Sequence, residues 1–134
     1  AMKEADLTPV DEHIQCGDYS IDGGYEAMLR IWDTKKRPTA IFISNYDMTI
    51  GAYLAINYLN LKIPDDISVI GFDNFPLANV VNPPLSFAEQ PTNEMGTEAG
   101  KLLYKRICGD YSDYPQTIMH KPTMYYKESI RKIN

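Results

Sequence analysis

Asp73 is the residue whose type and position first suggest ligand chemistry. It directly follows residues 67–72, a short and nearly continuous apolar run. Such a run indicates a strand of a parallel sheet that is buried on both faces. Ligands collect at the carboxyl edge of open α/β sheets, so Asp73 is the first candidate for ligand contact. A plainer interpretation stays open, because Asp also follows strands as a turn or helix-capping residue.

Patterns that would support catalysis are absent from the sequence. His13 and His120 are isolated, no serine-nucleophile or paired-histidine zinc motif occurs, and no glycine-rich phosphate loop follows an apolar run. Cys16 and Cys108 are far apart and lack the spacing of metal ligands, so we expect them to be reduced and buried. The sequence therefore predicts a protein that is not an enzyme and needs neither a metal nor a cofactor.

The totals set further bounds on function. A chain of 134 residues fits one domain. The sequence contains no run of about 18 apolar residues, the length needed to span a membrane. The net charge of −5 argues against nucleic-acid binding by this chain itself, since phosphate recognition needs clustered cations. Residues 35–37 form the only basic run, which is short enough to be a solvated loop.

Two helical patterns lie between the strands that would position Asp73. Ser20 is a plausible N-cap for a helix whose apolar residues are spaced i, i+3, i+4, i+7: Tyr25, Met28, Leu29 and Trp32. A second helix, about residues 47–59, follows the apolar run 39–44 and can end at Asn60 in a left-handed cap. It is apolar nearly all round, with Ile50, Tyr53 and Leu54 on a second face that we expect to meet another subunit.

The rest of the chain repeats this alternation. Residues 85–88 form another short strand pattern, and Thr92 can cap a helix that Gly109 ends. Weaker strand signals lie at residues 13–16, 117–119 and 124–126, and residues 2–7 resemble the last turns of a helix that begins earlier. Strands that alternate with helices predict an α/β fold with a parallel sheet.

Several stretches, in this order and spacing, together resemble the LacI/GalR family of bacterial transcriptional regulators. The matching residues are 17–20, 24–28, 37–45, Met48, Gly51, 63–74, 83–86, 90–91 and 95–96. The resemblance implies a sugar-binding effector domain of the type I periplasmic-binding-protein kind, in which residues 1–134 are mainly the C-terminal three-layer lobe. The helix after Thr92 would then belong to the other lobe, and a helix-turn-helix outside this chain would contact operator DNA.

The resemblance also implies roles for individual residues. Tyr19 matches a position where an aromatic ring stacks on the sugar, and Asn45 and Asp73 match positions that hydrogen-bond its hydroxyls. The plainer alternatives are a helix cap for Asn45 and a loop aromatic packed on its own helix for Tyr19. Departures from the family pattern occur at residues 46–47 and at Lys127, where an Arg is usual.

The dimer contacts implied by the resemblance involve Ile50, Val80 and Val81, next to Tyr53 and Leu54. Alternatively, Val80 and Val81 tuck under their own sheet. The favoured interpretation is the effector-sensing and homodimerising module of a cytoplasmic regulator, which reaches DNA only through another domain. The alternative is a secreted sugar receptor of a transport system with the same fold.

Overall fold

The computed structural model describes residues 2–73 and 76–132, so Asn74, which ends one of the matching stretches, lies outside the described residues. The main elements are α1 (Ile21–Trp32), β1 (Ala40–Phe42), α2 (Tyr46–Tyr58), β2 (Ser68–Phe72), β3 (Ser86–Glu89), α3 (Thr92–Ile107) and β4 (Thr123–Tyr125). Short 3-10 helices occur at Lys3–Ala5, Asp11–His13 and Pro76–Asn79. The predicted alternation of strand and helix is confirmed.

The four strands form one sheet in the order β1-β2-β3-β4. The first two pairings are parallel, with Ile41 opposite Val69 and Phe72 opposite Ala88. The edge strand β4 runs antiparallel to β3. An α/β fold with a mostly parallel sheet is therefore confirmed, with one antiparallel edge strand that the sequence did not predict.

Two predicted strands are wrong. Residues 13–16 contain no strand: His13 ends a 3-10 helix, and its Nε2 lies 2.5 Å from the carbonyl oxygen of Lys36. Ile14 is 62% exposed and Cys16 is exposed, so no buried face holds this segment as a strand. Residues 117–119 are irregular, and Met119 is 90% exposed, so no core surface is available to hold them as a strand. The signal at 124–126 is confirmed as β4, shifted by one residue.

Helix caps explain where the first two helices begin and end. The Ser20 hydroxyl accepts a hydrogen bond from the backbone N–H of Gly23 at 2.9 Å, as predicted. Asn60 follows α2 with φ 56°, the left-handed conformation expected of the residue that ends a helix. The prediction for Thr92 is wrong, since Thr92 is the first helical residue and Pro91 occupies the N-cap without a side-chain hydrogen bond.

Helices α1 and α2 pack so closely that their contact requires glycine. A Cβ on Gly51 would lie 1.9 Å from the backbone oxygen of Ile21, and one on Gly24 would lie 2.4 Å from the backbone oxygen of Met48. The core between α1, α2 and the sheet includes the buried residues Met28, Ile43, Ala52, Ala55, Ile56, Ile67, Val69, Leu85 and Phe87. Phe42, at the end of β1, is 61% exposed.

Helix α3 differs from the other two helices because none of its residues is buried. Leu103 and Ile107 are 63% and 74% exposed. Cys108, which caps α3, is exposed with it, and Cys16 is exposed in the segment that fails to form a strand. The prediction that both cysteines are buried is therefore wrong.

Candidate functional site

The turn before α1 presents Tyr19 to solvent. Asp18 Oδ1 accepts hydrogen bonds from the backbone N–H and the hydroxyl of Ser20, at 3.1 and 2.5 Å, and these bonds lower the pKa of the Asp18 carboxyl. Tyr19, which lies between Asp18 and Ser20, has φ 64°, and its side chain is 71% exposed. The turn therefore holds an aromatic ring away from the core, where a flat ligand could reach it.

Asn45 links this turn to α2. Its Oδ1 accepts from the backbone N–H of Met48 at 3.1 Å, so the capping interpretation is observed. Its Nδ2 also donates to the backbone oxygen of Tyr19 at 3.4 Å. One side chain thus starts α2 and brings two of the three candidate residues together.

Asp73 follows β2 directly, as the sequence predicts, in a left-handed conformation with φ 83°. Such a conformation costs a non-glycine residue about 1–3 kcal/mol, so surrounding contacts must hold it. Its backbone N–H donates to the oxygen of Ala88 at 2.7 Å. Its carboxylate Oδ1 accepts from the Gln90 amide Nε2 at 2.5 Å.

Gln90 is the residue of this site that sequence reasoning missed as a site residue. It follows β3 directly, just as Asp73 follows β2, and both strands are parallel neighbours. A polar residue at the carboxyl end of the next strand was therefore the available signal. The structure brings Tyr19 and Asn45 into one pair, and Asp73 and Gln90 into a second, at the ends of three parallel strands.

The residues predicted to contact a partner subunit differ in exposure. Leu54 and Val80 are 50% and 70% exposed, whereas Ile50 is half-buried. Tyr53 and Val81 pack against the chain's own core, so the apolar surface is narrower than the sequence suggested.

Residues 2–73 and 76–132 lack two other kinds of feature, a metal-ion site and a membrane-spanning helix. No group of three or more His, Cys, Asp and Glu side chains there could hold a metal ion. The longest helix of that part, α3, has 16 residues and carries charged side chains, and no helix there has the length and apolar character needed to span a membrane.

Comparison with known proteins gives the family. The sequence pattern of the periplasmic binding protein-like domain matches residues 1–130. The chain is 38% identical over 130 residues to the HTH-type transcriptional repressor PurR of Pectobacterium carotovorum, covering 97% of this chain and 38% of the relative. The chain thus spans about two fifths of the length of this curated relative.

Solved structures agree with this relationship. The transcriptional regulator CelR in complex with cellobiose superposes with a TM-score of 0.88 at 27% identity, covering 96% of this chain and 39% of that one. A LacI family regulator from Enterococcus faecalis with bound ribose superposes with a TM-score of 0.76 at 30% identity, covering 88% of this chain and 43% of that one. These proteins are transcriptional regulators rather than enzymes. The chain therefore belongs to the periplasmic binding protein-like domain family, in the form found in the effector-binding domains of LacI-family regulators.

Proposed function

We propose that this chain is the effector-sensing part of a cytoplasmic transcriptional regulator and that it binds a sugar or sugar-like molecule. The repressor among its relatives supports the regulatory role over that of a transport receptor. Operator DNA would be contacted by another domain, in keeping with the net charge of −5 carried here. Effector binding would change DNA affinity only if the effector binds one state of the regulator more tightly than the other.

The observation that carries the proposal is the conformation of Asp73. Its backbone adopts φ 83° directly after β2, and the carboxylate is held by Gln90 at the edge where ligands of parallel sheets collect. Strained residues of this kind persist where surrounding structure over-determines them, and they cluster at ligand-binding sites. A fixed carboxylate is a suitable acceptor for vicinal hydroxyl groups.

Tyr19 and Asn45 supply chemistry that complements a carboxylate. The exposed Tyr19 ring offers a flat apolar surface, which suits the C–H face of a sugar. The amide of Asn45 carries a second hydrogen besides the one it donates to the Tyr19 oxygen, and a ligand oxygen could accept it. Cellobiose and ribose in the two related structures support a sugar as the ligand class.

The test uses a regulator of the relatives' full length that carries this chain. Calorimetry with a panel of mono- and disaccharides, including cellobiose and ribose, should identify a binder. Asp73→Asn should weaken its binding at least about tenfold, because a charge-assisted hydrogen bond is worth about 1.5–3 kcal/mol. Asp65→Asn is the matched control, since Asp65 precedes the same strand and its side chain is 69% exposed.

Two results would contradict the proposal. One is a panel in which no sugar binds the intact regulator. The other is an Asp73→Asn variant that binds the same sugar as tightly as the Asp65→Asn control.

Dimerisation belongs to the same proposal. Leu54 and Val80 are exposed apolar side chains on the lobe, with Ile50 half-buried beside Leu54 on α2. A symmetric dimer would pair each such residue with a neighbour across a two-fold axis.

A further inference from the structure

We infer that Gln90 is a positioning residue for the Asp73 carboxylate and that the pair selects effectors that donate a hydrogen bond at this point. The inference rests on the proposed effector site, to which it adds a residue and a chemical requirement on the ligand. It starts from a side-chain hydrogen bond between residues that follow two neighbouring parallel strands.

Two contacts from the β3 side fix Asp73. The backbone N–H donates to the Ala88 oxygen at 2.7 Å, which sets the direction in which the side chain leaves the main chain. The Gln90 amide Nε2 then donates to Oδ1 at 2.5 Å, which sets the plane of the carboxylate. Both side chains are half-buried, so solvent competes less for this bond than at an exposed site.

The direction of this hydrogen bond determines what the effector must supply. The amide is the donor and the carboxylate the acceptor, so the second oxygen of Asp73, Oδ2, remains an acceptor. A ligand group that meets Oδ2 must therefore be a hydroxyl or an amine. A carboxylate or phosphate placed there would face a like charge.

Pre-ordering the carboxylate lowers the entropic cost of binding. Without the Gln90 amide, Asp73 would sample other rotamers, and the effector would have to immobilise it. Ordering one such side chain typically weakens binding by about three- to tenfold. We expect that loss in a variant that lacks the amide but keeps its bulk.

Three variants of the full-length regulator test this, with the tightest-binding sugar of the panel as the probe. Gln90→Met keeps the length of the side chain and removes the donor. Gln90→Glu keeps its shape but replaces the donor with an ionised acceptor near pH 8. Toward pH 5 the neighbouring Asp73 carboxylate favours protonation of the introduced carboxyl, which can then donate again. Gln116→Met is the control, because Gln116 is exposed outside the site.

The expected results separate positioning from a merely structural role. Gln90→Met should weaken sugar binding about three- to tenfold at both pH values, and Gln116→Met should bind like the unmodified protein. Gln90→Glu should bind more weakly than Gln90→Met near pH 8 and recover toward the unmodified protein near pH 5. Recovery at low pH that reaches beyond the affinity of Gln90→Met requires the restored hydrogen bond, because relief of charge repulsion alone would bring the variant only to the level of Gln90→Met.

A sugar analogue tests the requirement on the ligand. Each hydroxyl of the ligand is replaced in turn by hydrogen, and the affinity of each analogue is compared with that of the parent sugar. One analogue should bind the unmodified protein much more weakly than the parent sugar does, but should bind Asp73→Asn about as tightly as the parent sugar does. If no analogue behaves in this way, the donor requirement is wrong.

The outcomes also distinguish this inference from the proposed function. If Asp73→Asn weakens binding but Gln90→Met binds within twofold of the unmodified protein, the role of Gln90 is overturned and the effector site stands. If no sugar binds, or if Asp73→Asn has no effect, the effector site fails and this inference fails with it.

Discussion

Tyr53 carries an unsatisfied polar atom in the middle of α2. Its hydroxyl is buried and has no hydrogen-bond partner among the described residues. Burial also raises the pKa of Tyr53 to about 12, because the phenolate would lose its hydration. A buried polar group without a partner typically costs about 1–3 kcal/mol, so the aromatic ring stabilises this region while its hydroxyl destabilises it.

Tyr53→Phe should therefore be at least as stable as the unmodified chain at neutral pH, as measured by urea unfolding. Unfolded tyrosine ionises near pH 10, whereas folded Tyr53 ionises at about 12, so the unmodified chain loses stability as pH rises through this window. The advantage of Tyr53→Phe should grow over the same range. Tyr58→Phe is the control, since Tyr58 lies on the same helix and is 69% exposed. A Tyr53→Phe variant clearly less stable than Tyr58→Phe at neutral pH would show that the hydroxyl has a partner.

Single residues at the sheet edge combine folding and binding roles. Asn45 caps α2 and also holds the Tyr19 turn, so its helix-capping role and its proposed ligand role are compatible. Capping could be predicted from sequence because it involves residues three positions apart. The Asp73–Gln90 bond could not, because it depends on the β2–β3 register, in which Phe72 lies opposite Ala88.

At the scale of elements, the contact between α1 and α2 determines where the Tyr19 turn lies. A Cβ on Gly51 would lie 1.9 Å from the Ile21 oxygen and 2.6 Å from the Tyr25 nitrogen. Both atoms are backbone, so no side-chain rotation can relieve the overlap. The two helices would have to separate, and the turn that precedes α1 would move with them.

Gly51→Ala should lower the free energy of unfolding by about 1–3 kcal/mol or more, the usual cost of overpacking a core. Gly100→Ala is the matched control, because nothing lies within 4 Å of the added methyl group on α3. That control should gain about 0.5–1 kcal/mol, since alanine favours helix more than glycine does. Equal effects of the two substitutions in urea unfolding would refute the close contact.

The elements that could be predicted are those whose signal is local and repeated. The spacing of Tyr25, Met28, Leu29 and Trp32 predicts α1, and all four lie in or against the core. Residues 13–16 and 117–119 are too short to carry such a signal. His13 instead contacts Lys36, a distant residue that no local pattern encodes, and residues 117–119 are exposed without a core surface to pack on.

At the scale of the whole molecule, two of the exposed apolar regions among the described residues bear on different partners. One is on α3, where Leu103 and Ile107 are exposed and no residue is buried. The other consists of Leu54 on α2 and Val80, which follows the 3-10 helix Pro76–Asn79. These are the two clearly exposed residues among those that the sequence predicts at a subunit contact. Only the second is close to core packing, because Val81, the next residue, contacts the core.

The Leu54 and Val80 surface gives the test of dimerisation. Introducing Leu54→Glu and Val80→Glu together should convert the full-length regulator from dimer to monomer, because charges buried without partners at an interface are costly. Each side chain is at least half exposed in the lobe, so the fold itself should lose little stability. Sedimentation at micromolar concentration measures the change, and near-ultraviolet circular dichroism verifies the fold.

A matched pair of substitutions separates this surface from a general effect of added charge. Gln116→Glu with Thr117→Glu introduces the same two charges at exposed positions remote from α2 in the chain, and it should leave the dimer intact. Val81 is unsuitable for the test because it contacts the core, so a charge there would unfold the lobe and mimic dissociation. If the Leu54 and Val80 variant sediments as a dimer like the control, the interface lies elsewhere, and the exposed α3 surface becomes the next region to test.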